Sequence, residues 1–291
     1  QRIYPKQGNM TPGTDGQTID QMSIQRIECL TESLRNETYQ PQPARRVYIP
    51  KKNGKSRPLG IPSFEDKLVQ EVTRMVLEAI YEGHFESTSH GFRPYKSCHT
   101  ALTHIQRQFT GTRWFIEGDI KGFFDNIDHN VLINVLRERI SDERFLRLIR
   151  KFLNAGYIEQ WKYNRTYSGT PQGGIISPIL ANIYLDKFDK YISEYTDIFN
   201  KGEQRQRNAA YFQMNTTAVN LRKKVKSETD PRVKAELAEK VKSLQLEMRK
   251  TPCRHEIDEN YRRLKYVRYA DDFLIGVIGS KADCEKIKVE I

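Results

Sequence analysis

The stretch Tyr266-Val267-Arg268-Tyr269-Ala270-Asp271-Asp272-Phe273-Leu274-Ile275 decides the fold. Two apolar runs flank a short acidic break, the pattern of a β-hairpin whose tip carries adjacent carboxylates. Carboxylates held where a buried sheet meets solvent invite a divalent cation, and magnesium needs only one or two of them beside waters and substrate phosphates. That chemistry serves phosphoryl transfer. Asp is also a common turn former, so the tetrad alone reads equally well as a turn. A second acid shifts the balance. Trp114-Phe115-Ile116-Glu117-Gly118-Asp119-Ile120 reads as an apolar strand ending in a carboxylate, and Asp128 reads as the N-cap of a helix just beyond it. A metal pair roughly 4 Å apart requires carboxylates converging from separate elements, which Asp119 and Asp271 would supply.

Outward from these segments the elements follow from periodicity and punctuation. Residues 1 to about 40 read as a Gly-containing loop and a helix with Ile24, Ile27, Leu30 and Leu34 on one face. Val47 to Pro50 and Arg57 to Ile61 read as two strands joined at Asn53-Gly54, the strongest short hairpin signal. A helix from about Phe64 to Tyr81 follows, with Leu68, Val72, Met75, Val76 and Ala79 expected to face a core. A helix around Asp142 to Asn154 directs Phe145, Leu148, Ile149 and Phe152 inward, and Tyr157 to Tyr167 reads as extended. Ser177 as N-cap and Pro178 as first helical residue open a helix to about Tyr195, with Ile179, Ile183 and Phe188 under the sheet.

Residues of about 198 to 262 depart from this pattern, being polar, basic and nearly free of aromatics. Val233, Leu237, Val241, Leu244 and Met248 still recur at helical spacing behind an Asp230 cap and Pro231. A preceding helix bearing Leu221 and Val225 pairs with it in this reading, giving an inserted helical hairpin.

The chain of 291 residues has a formal net charge of +11, and its pI near 9.4 and mean hydropathy of -0.71 describe a soluble protein with a polyanionic partner. Residues 201–268 hold a net +9, while residues 40–57 carry six basic residues and no acid. No stretch approaches the roughly 20 apolar residues of a spanning helix, and no signal peptide is present, so no membrane partner is expected. Cys29, Cys98, Cys253 and Cys284 form no Cys-x-x-Cys pair. Reduced thiols are the expectation, and Cys253-Arg254-His255 is too little for a zinc site.

Seven blocks, in order, resemble the reverse transcriptase domain of bacterial group II intron-encoded proteins, or maturases. They are Gly13-Thr14-Asp15-Gly16, Arg45 to Lys51, Arg57 to Pro62, Gly91-Phe92-Arg93-Pro94, Asp119 to Asp125, Gly169-Thr170-Pro171-Gln172-Gly173-Gly174 and Tyr269-Ala270-Asp271-Asp272. The resemblance implies an α+β polymerase right hand with an antiparallel palm sheet packed on helices and an α-helical insertion. Fingers with an N-terminal extension would occupy residues 1–112, the palm 113–197 and 263–291, and the insertion 198–262. The chain stops within a helical pattern, so thumb, maturase and endonuclease segments are expected beyond it.

The resemblance also assigns roles. Asp119, Asp271 and Asp272 would be catalytic, with two Mg²⁺ ions on Asp119, Asp271 and the carbonyl of Ile120, and Asp272 secondary. Phe124 would be the steric gate beneath the sugar, which makes the substrate a dNTP, and Arg45, Lys51, Arg57 and Gln172 would contact the incoming nucleotide. Read without the family, Phe124 is a core aromatic beside Phe123, and the basic hairpin is a solvated surface. Arg222, Lys223, Lys224, Arg262 and Arg263 are the residues expected to bind RNA. Group II intron RNA, an RNA template with a DNA primer, and dNTP are the implied partners, in a bacterial cytoplasm, with a homodimer left open. The alternatives are an RNA-binding splicing factor whose polymerase site is secondary, and an RNA-dependent RNA polymerase, which Phe124 opposes.

Overall fold

The computed structural model describes residues 8, 10–50, 54, 56–170, 173–255 and 258–291. It divides into two compact units. The first comprises Gln1–Arg107, Glu117–Ser193 and Val267–Leu274, and the second Gln108–Ile116, Glu194–Tyr266 and Ile275–Ile291.

In the first unit, α1 (Ile24–Arg35) starts at Ser23, whose hydroxyl accepts the Arg26 N–H. Strands β1 (Ala44–Pro50) and β2 (Ser56–Ile61) pair antiparallel in a register that sets Ile49 opposite Arg57 and Arg45 opposite Ile61. Lys51, Lys52 and Asn53 of the expected turn lie outside the described residues. Helix α2 (Phe64–Tyr81) is capped by Ser63, and α3 spans Cys98–Gln108. Strand β3 (Trp114–Asp119) leads through Gly122, in the left-handed region, into a single turn α4 (Phe123–Asn126). Asp128 then caps α5 (His129–Arg137), accepting from Asn130 N and Val131 N, as the sequence indicates. Helix α6 (Glu143–Asn154) follows. The extended segment after it is a tight hairpin, β4 (Tyr157–Glu159) and β5 (Lys162–Asn164), which joins β1 and β2 in a sheet of order β2-β1-β4-β5.

Helix α7 (Ser177–Phe199) runs four residues past the expected end, Tyr195. Leu77 of α2, Leu132 and Leu136 of α5, Ile149 of α6 and Leu180 of α7 are fully buried in one core cluster. Each such side chain contributes about 1.5–3 kcal/mol relative to exposure.

Helix α2 corrects the reading of its face. Val72, Met75, Val76 and Ala79, expected in a core, are exposed, and Leu68 is only half-buried. The buried side holds Asp66, Lys67, Gln70 and Glu71 alongside Phe64, Val69, Leu77 and Tyr81. Polar groups are tolerated there because each finds a partner. Asp66 accepts from Tyr39 Oη and, at 3.0 Å, from Gln42 N; Lys67 Nζ donates to the Thr11 carbonyl at 2.7 Å. Gln70 accepts the Ile175 N–H at 2.8 Å, and Glu71 pairs with Arg74 at 2.9 Å.

In the second unit, α8 (Ala209–Ser227) and α9 (Pro231–Lys250) form the expected helical hairpin, with Asp230 accepting from Arg232 N at the N-cap and Pro231 as first helical residue. The ends of this excursion meet: Lys201 and Arg262 exchange both backbone hydrogen bonds, at 3.0 and 3.1 Å. Helix α10 (Lys281–Glu290) closes the unit with a Ser280–Asp283 capping box. Strands β6 (Arg263–Tyr269) and β7 (Asp272–Ile278) are joined by two residues and so run antiparallel, in a sheet of order β3-β7-β6. The strand ends bearing Asp119, Asp271 and Asp272 belong to the first unit. All four cysteines are free. Among the described residues no helix is long and apolar enough to cross a membrane.

Candidate active site

Asp119 ends β3 and Asp271 and Asp272 lie at the β6–β7 turn, and the middle position of β7 brings them together. Ile120 N faces the Asp271 carbonyl at 3.5 Å. Gly118 lets β7 approach, since a Cβ there would lie 2.1 Å from the Phe273 ring. The Asp272 carboxyl is held above its usual range by desolvation, then by the negative charges of Asp271, Asp119 and Glu117. Four carboxylates thus share one field, and Glu117 is a member that motif reading missed. Among the described residues no three or more acidic, histidine or cysteine side chains are gathered closely enough to hold a metal ion; the chemistry of the set, all oxygen and mutually repelling, is of the kind that suits a hard divalent cation.

The turn is braced from beneath by a cluster the sequence reading did not identify. Ala270 is left-handed at φ 57°, which costs a non-glycine residue about 1–2 kcal/mol. Arg268, fully buried in β6, donates from Nη1 to the Ala270 carbonyl at 2.7 Å and so ties down the turn. Its Nε and Nη2 meet the two oxygens of buried Asp189 of α7 at 2.7 and 2.5 Å. Nη1 also reaches Asn182 Oδ1 at 3.2 Å, and Nη2 reaches Ser89 Oγ at 2.8 Å. All five guanidinium N–H groups therefore have acceptors. Asn182 Nδ2 donates in turn to the Gly91 carbonyl at 2.8 Å. Gly91 has to be glycine, because a Cβ would stand 2.3 Å from Ala270 N. Arg93 fixes the same loop through Glu82, at 2.8 and 3.0 Å, and the carbonyls of Glu86 and Ser89. The Gly91-Phe92-Arg93-Pro94 block is in this way a support for the acidic turn.

Phe124 is buried, 8% exposed, and packs edge-on against Phe123 at 5.4 Å. Its carbonyl accepts the Thr170 N–H at 2.7 Å, and Gly169 comes so near that a Cβ would lie 2.5 Å from it. The Asp119 to Asp125 block and Gly169-Thr170 therefore meet, while Gln172 lies outside the described residues, as does Lys51. Arg45 and Arg57 project from the same side of the β1–β2 hairpin by its register, but Arg45 donates to the Pro12 carbonyl at 2.9 and 3.1 Å.

In the second unit Arg222, Lys223 and Lys224 are exposed on α8. Arg262 and Arg263 have another position. Arg263 donates to the carbonyls of Lys201, Arg262 and Gly202 and lies over the Tyr261 ring, and Arg262 pairs with Asp283 at 3.4 Å over the Phe199 ring. Both brace the root of the helical hairpin.

A family profile described as reverse transcriptase (RNA-dependent DNA polymerase) matches residues 49–212. Group II intron-encoded protein LtrA of Lactococcus lactis subsp. cremoris is 48% identical over 295 residues, covering 100% of this chain and 48% of its own length. The chain belongs to the reverse transcriptase (RNA-dependent DNA polymerase) family. The putative COX1/OXI3 intron 1 protein of Saccharomyces cerevisiae is 40% identical, covering 100% of this chain and 33% of its own. Protein YkfC of Escherichia coli (strain K12) is 38% identical, covering 97% and 68%. The chain thus spans about half the length of LtrA. Its fold is the fingers and palm of a polymerase, and reverse transcriptases use divalent metal ions.

Proposed function

We propose that this reverse transcriptase chain carries the catalytic site of an RNA-directed DNA polymerase that adds dNTP to a primer 3′-hydroxyl on an RNA template. The observation that carries this reading is that the end of β3 bearing Asp119 meets the braced turn bearing Asp271 and Asp272, Ile120 N facing the Asp271 carbonyl at 3.5 Å. Asp119, Asp271 and the Ile120 carbonyl would hold two Mg²⁺ ions, which when bound stabilise the charge that develops on the attacking and leaving oxygens. The chain's own part is to hold the carboxylates at one place, through Arg268 on the Ala270 carbonyl and the left-handed Ala270. Arg45, Lys51 and Arg57 would neutralise the triphosphate, with Arg45 exchanging its Pro12 carbonyl for phosphate, and Gln172 would line the nucleotide. Primer extension on an RNA template, with dNTP and with NTP, tests the reading. No extension in a preparation that binds structured RNA would favour the splicing-factor alternative.

Phe124 sits at the gate position and also in the core, so its replacement has two effects. Phe124→Ala is expected to raise NTP use relative to dNTP about tenfold or more, and to lower stability by about 3–5 kcal/mol. Competition between labelled NTP and dNTP, at a temperature where the variant is folded, reads the first effect. Unchanged discrimination would leave Phe124 a packing residue only.

The basic helical hairpin suits intron RNA, with Arg222, Lys223 and Lys224 as phosphate contacts and Arg262 and Arg263 acting at its root. Such binding would support splicing and retrohoming in the bacterial cytoplasm, and a homodimer is compatible with it. Because Lys201 and Arg262 bridge the two ends, replacing residues 204–259 with a short Gly/Ser linker is expected to leave the fold intact. If about four cations contact phosphates, the slope of log affinity against log salt flattens by about three. An unchanged slope for intron RNA would remove the hairpin from RNA recognition.

A further inference from the structure

The β4–β5 hairpin of the first unit has an unusual turn. Gln160 and Trp161 both adopt left-handed backbone, at φ 50° and 64°, without a glycine. That conformation costs about 1–2 kcal/mol per residue, and here it presents an indole that is 99% exposed. The two-residue connection between β4 and β5 requires this conformation at both positions, so what sets the turn apart is that it is made without glycine and with its indole uncovered. The following residues carry two more uncovered rings, Tyr163 at 56% and Tyr167 at 80% exposure, interleaved with exposed Lys162 and Arg165, whose guanidinium lies 5.5 Å from the Tyr167 ring. Residues 160–168 contain no acid.

Beside this hairpin lies a cavity of about 610 Å³ lined by Tyr163 and by Arg147, Arg150 and Lys151 of α6. Arg147 is paired with Glu37 at 2.8 Å. The other two cations are not neutralised by an acid among the described residues. Lys151 Nζ donates to the carbonyls of Glu37 and Tyr39, and Arg150 Nη1 to Asn130 Oδ1. The surface therefore offers ring faces beside the positive charges of Arg150 and Lys151, with Glu159 opposite Lys162 in the hairpin register.

We infer that the β4–β5 hairpin and the adjoining α6 cavity bind a single-stranded RNA segment, with an unpaired base stacked on Trp161 and phosphates on Lys162, Arg165, Arg150 and Lys151. Rings interleaved with cations match a chain whose bases are free and whose phosphates are regularly spaced. A duplex keeps its bases stacked on one another and offers only phosphates. An apolar protein partner has no use for the cations. The choice of RNA over DNA rests on the polymerase reading above; the binding site does not, since it involves none of the acidic residues.

Trp161 reports on its own environment. The chain has two tryptophans, and Trp114 is part-buried with Nε1 on the Gly279 carbonyl at 3.3 Å, so Trp114→Phe leaves Trp161 as sole emitter. Titration with an unstructured RNA of about 12 nucleotides, within known single-strand site sizes, is expected to quench Trp161 and shield it from acrylamide. Duplex RNA of equal length and inorganic polyphosphate are expected to leave it unquenched. Trp161→Gly is expected to weaken single-strand affinity about tenfold or more while keeping or raising the unfolding midpoint, because glycine accepts the left-handed turn. Replacing Lys162 and Arg165 by Gln is expected to flatten the salt slope by about 1.4. Emission unaltered at saturating RNA, or parental affinity in Trp161→Gly, would overturn the inference, even where the chain extends a primer normally. Shielding of Trp161 by self-association in the absence of RNA would overturn it too, assigning the surface to a second copy.

Discussion

Arg268→Met is expected to lower the unfolding free energy by about 3–5 kcal/mol, because it leaves the Asp189 carboxylate buried and unpaired. The side chains of both residues are fully buried, at 0% exposure, so solvent cannot take over the lost partner. The change also frees the Ala270 carbonyl, leaving the left-handed turn without its brace. Extension is then expected to fall more than folded protein is lost. Arg268→Lys keeps the charge but offers three donors in place of a planar fork of five, and is expected to fall between. The double variant Arg268→Met, Asp189→Leu is expected to recover much of the stability and little of the activity. Urea unfolding beside primer extension measures both quantities. A loss below about 1 kcal/mol for Arg268→Met, the range of an exposed pair, would show that the cluster does not stabilise the turn.

That cluster was the least legible part of the site, although a physical signal was present. Alternation along β6 puts Arg268 on the side of Leu264 and Tyr266, both buried, so an inward arginine was readable from period two. Its partners Asn182 and Asp189 stand with Asp186 at spacings of four and three along α7, hence on one face. What the sequence cannot give is the distance between strand and helix, which pairs them. The carboxylates themselves were legible, because hairpin tips and strand ends are local features. Helix α2 misled for a related reason. Its apolar stripe has helical spacing whether it meets a core or solvent, and its buried polar stripe became explicable only with Tyr39, Thr11 and Ile175 in place. The inserted helices were read correctly because Asp230-Pro231 and the valine and leucine periodicity need no tertiary partner.

Asp119→Asn or Asp271→Asn is expected to reduce extension by about 10³-fold or more, the rate equivalent of about 4 kcal/mol. The amide matches the carboxylate in shape and removes only the ligand charge, so packing around Gly118, Phe273 and Ala270 is preserved. RNA affinity should be nearly unchanged, since the basic surfaces lie elsewhere in the sequence. Stability separates this chemistry from misfolding, and Asp272 sets its direction. Its pKa is raised in the folded chain by desolvation and then by Asp271, Asp119 and Glu117. A carboxyl raised in this way stabilises the fold only below its unfolded value near 4, and that benefit is lost as pH rises through the folded value. At neutral pH ionised Asp272 therefore opposes folding. Neutralising any one member, Asp119→Asn, Asp271→Asn or Asp272→Asn, is expected to keep or raise the melting temperature without divalent cation and to shrink the rise that added Mg²⁺ produces. Near-normal extension by Asp119→Asn or Asp271→Asn would remove these residues from the reaction, and a lowered melting temperature would make the loss structural.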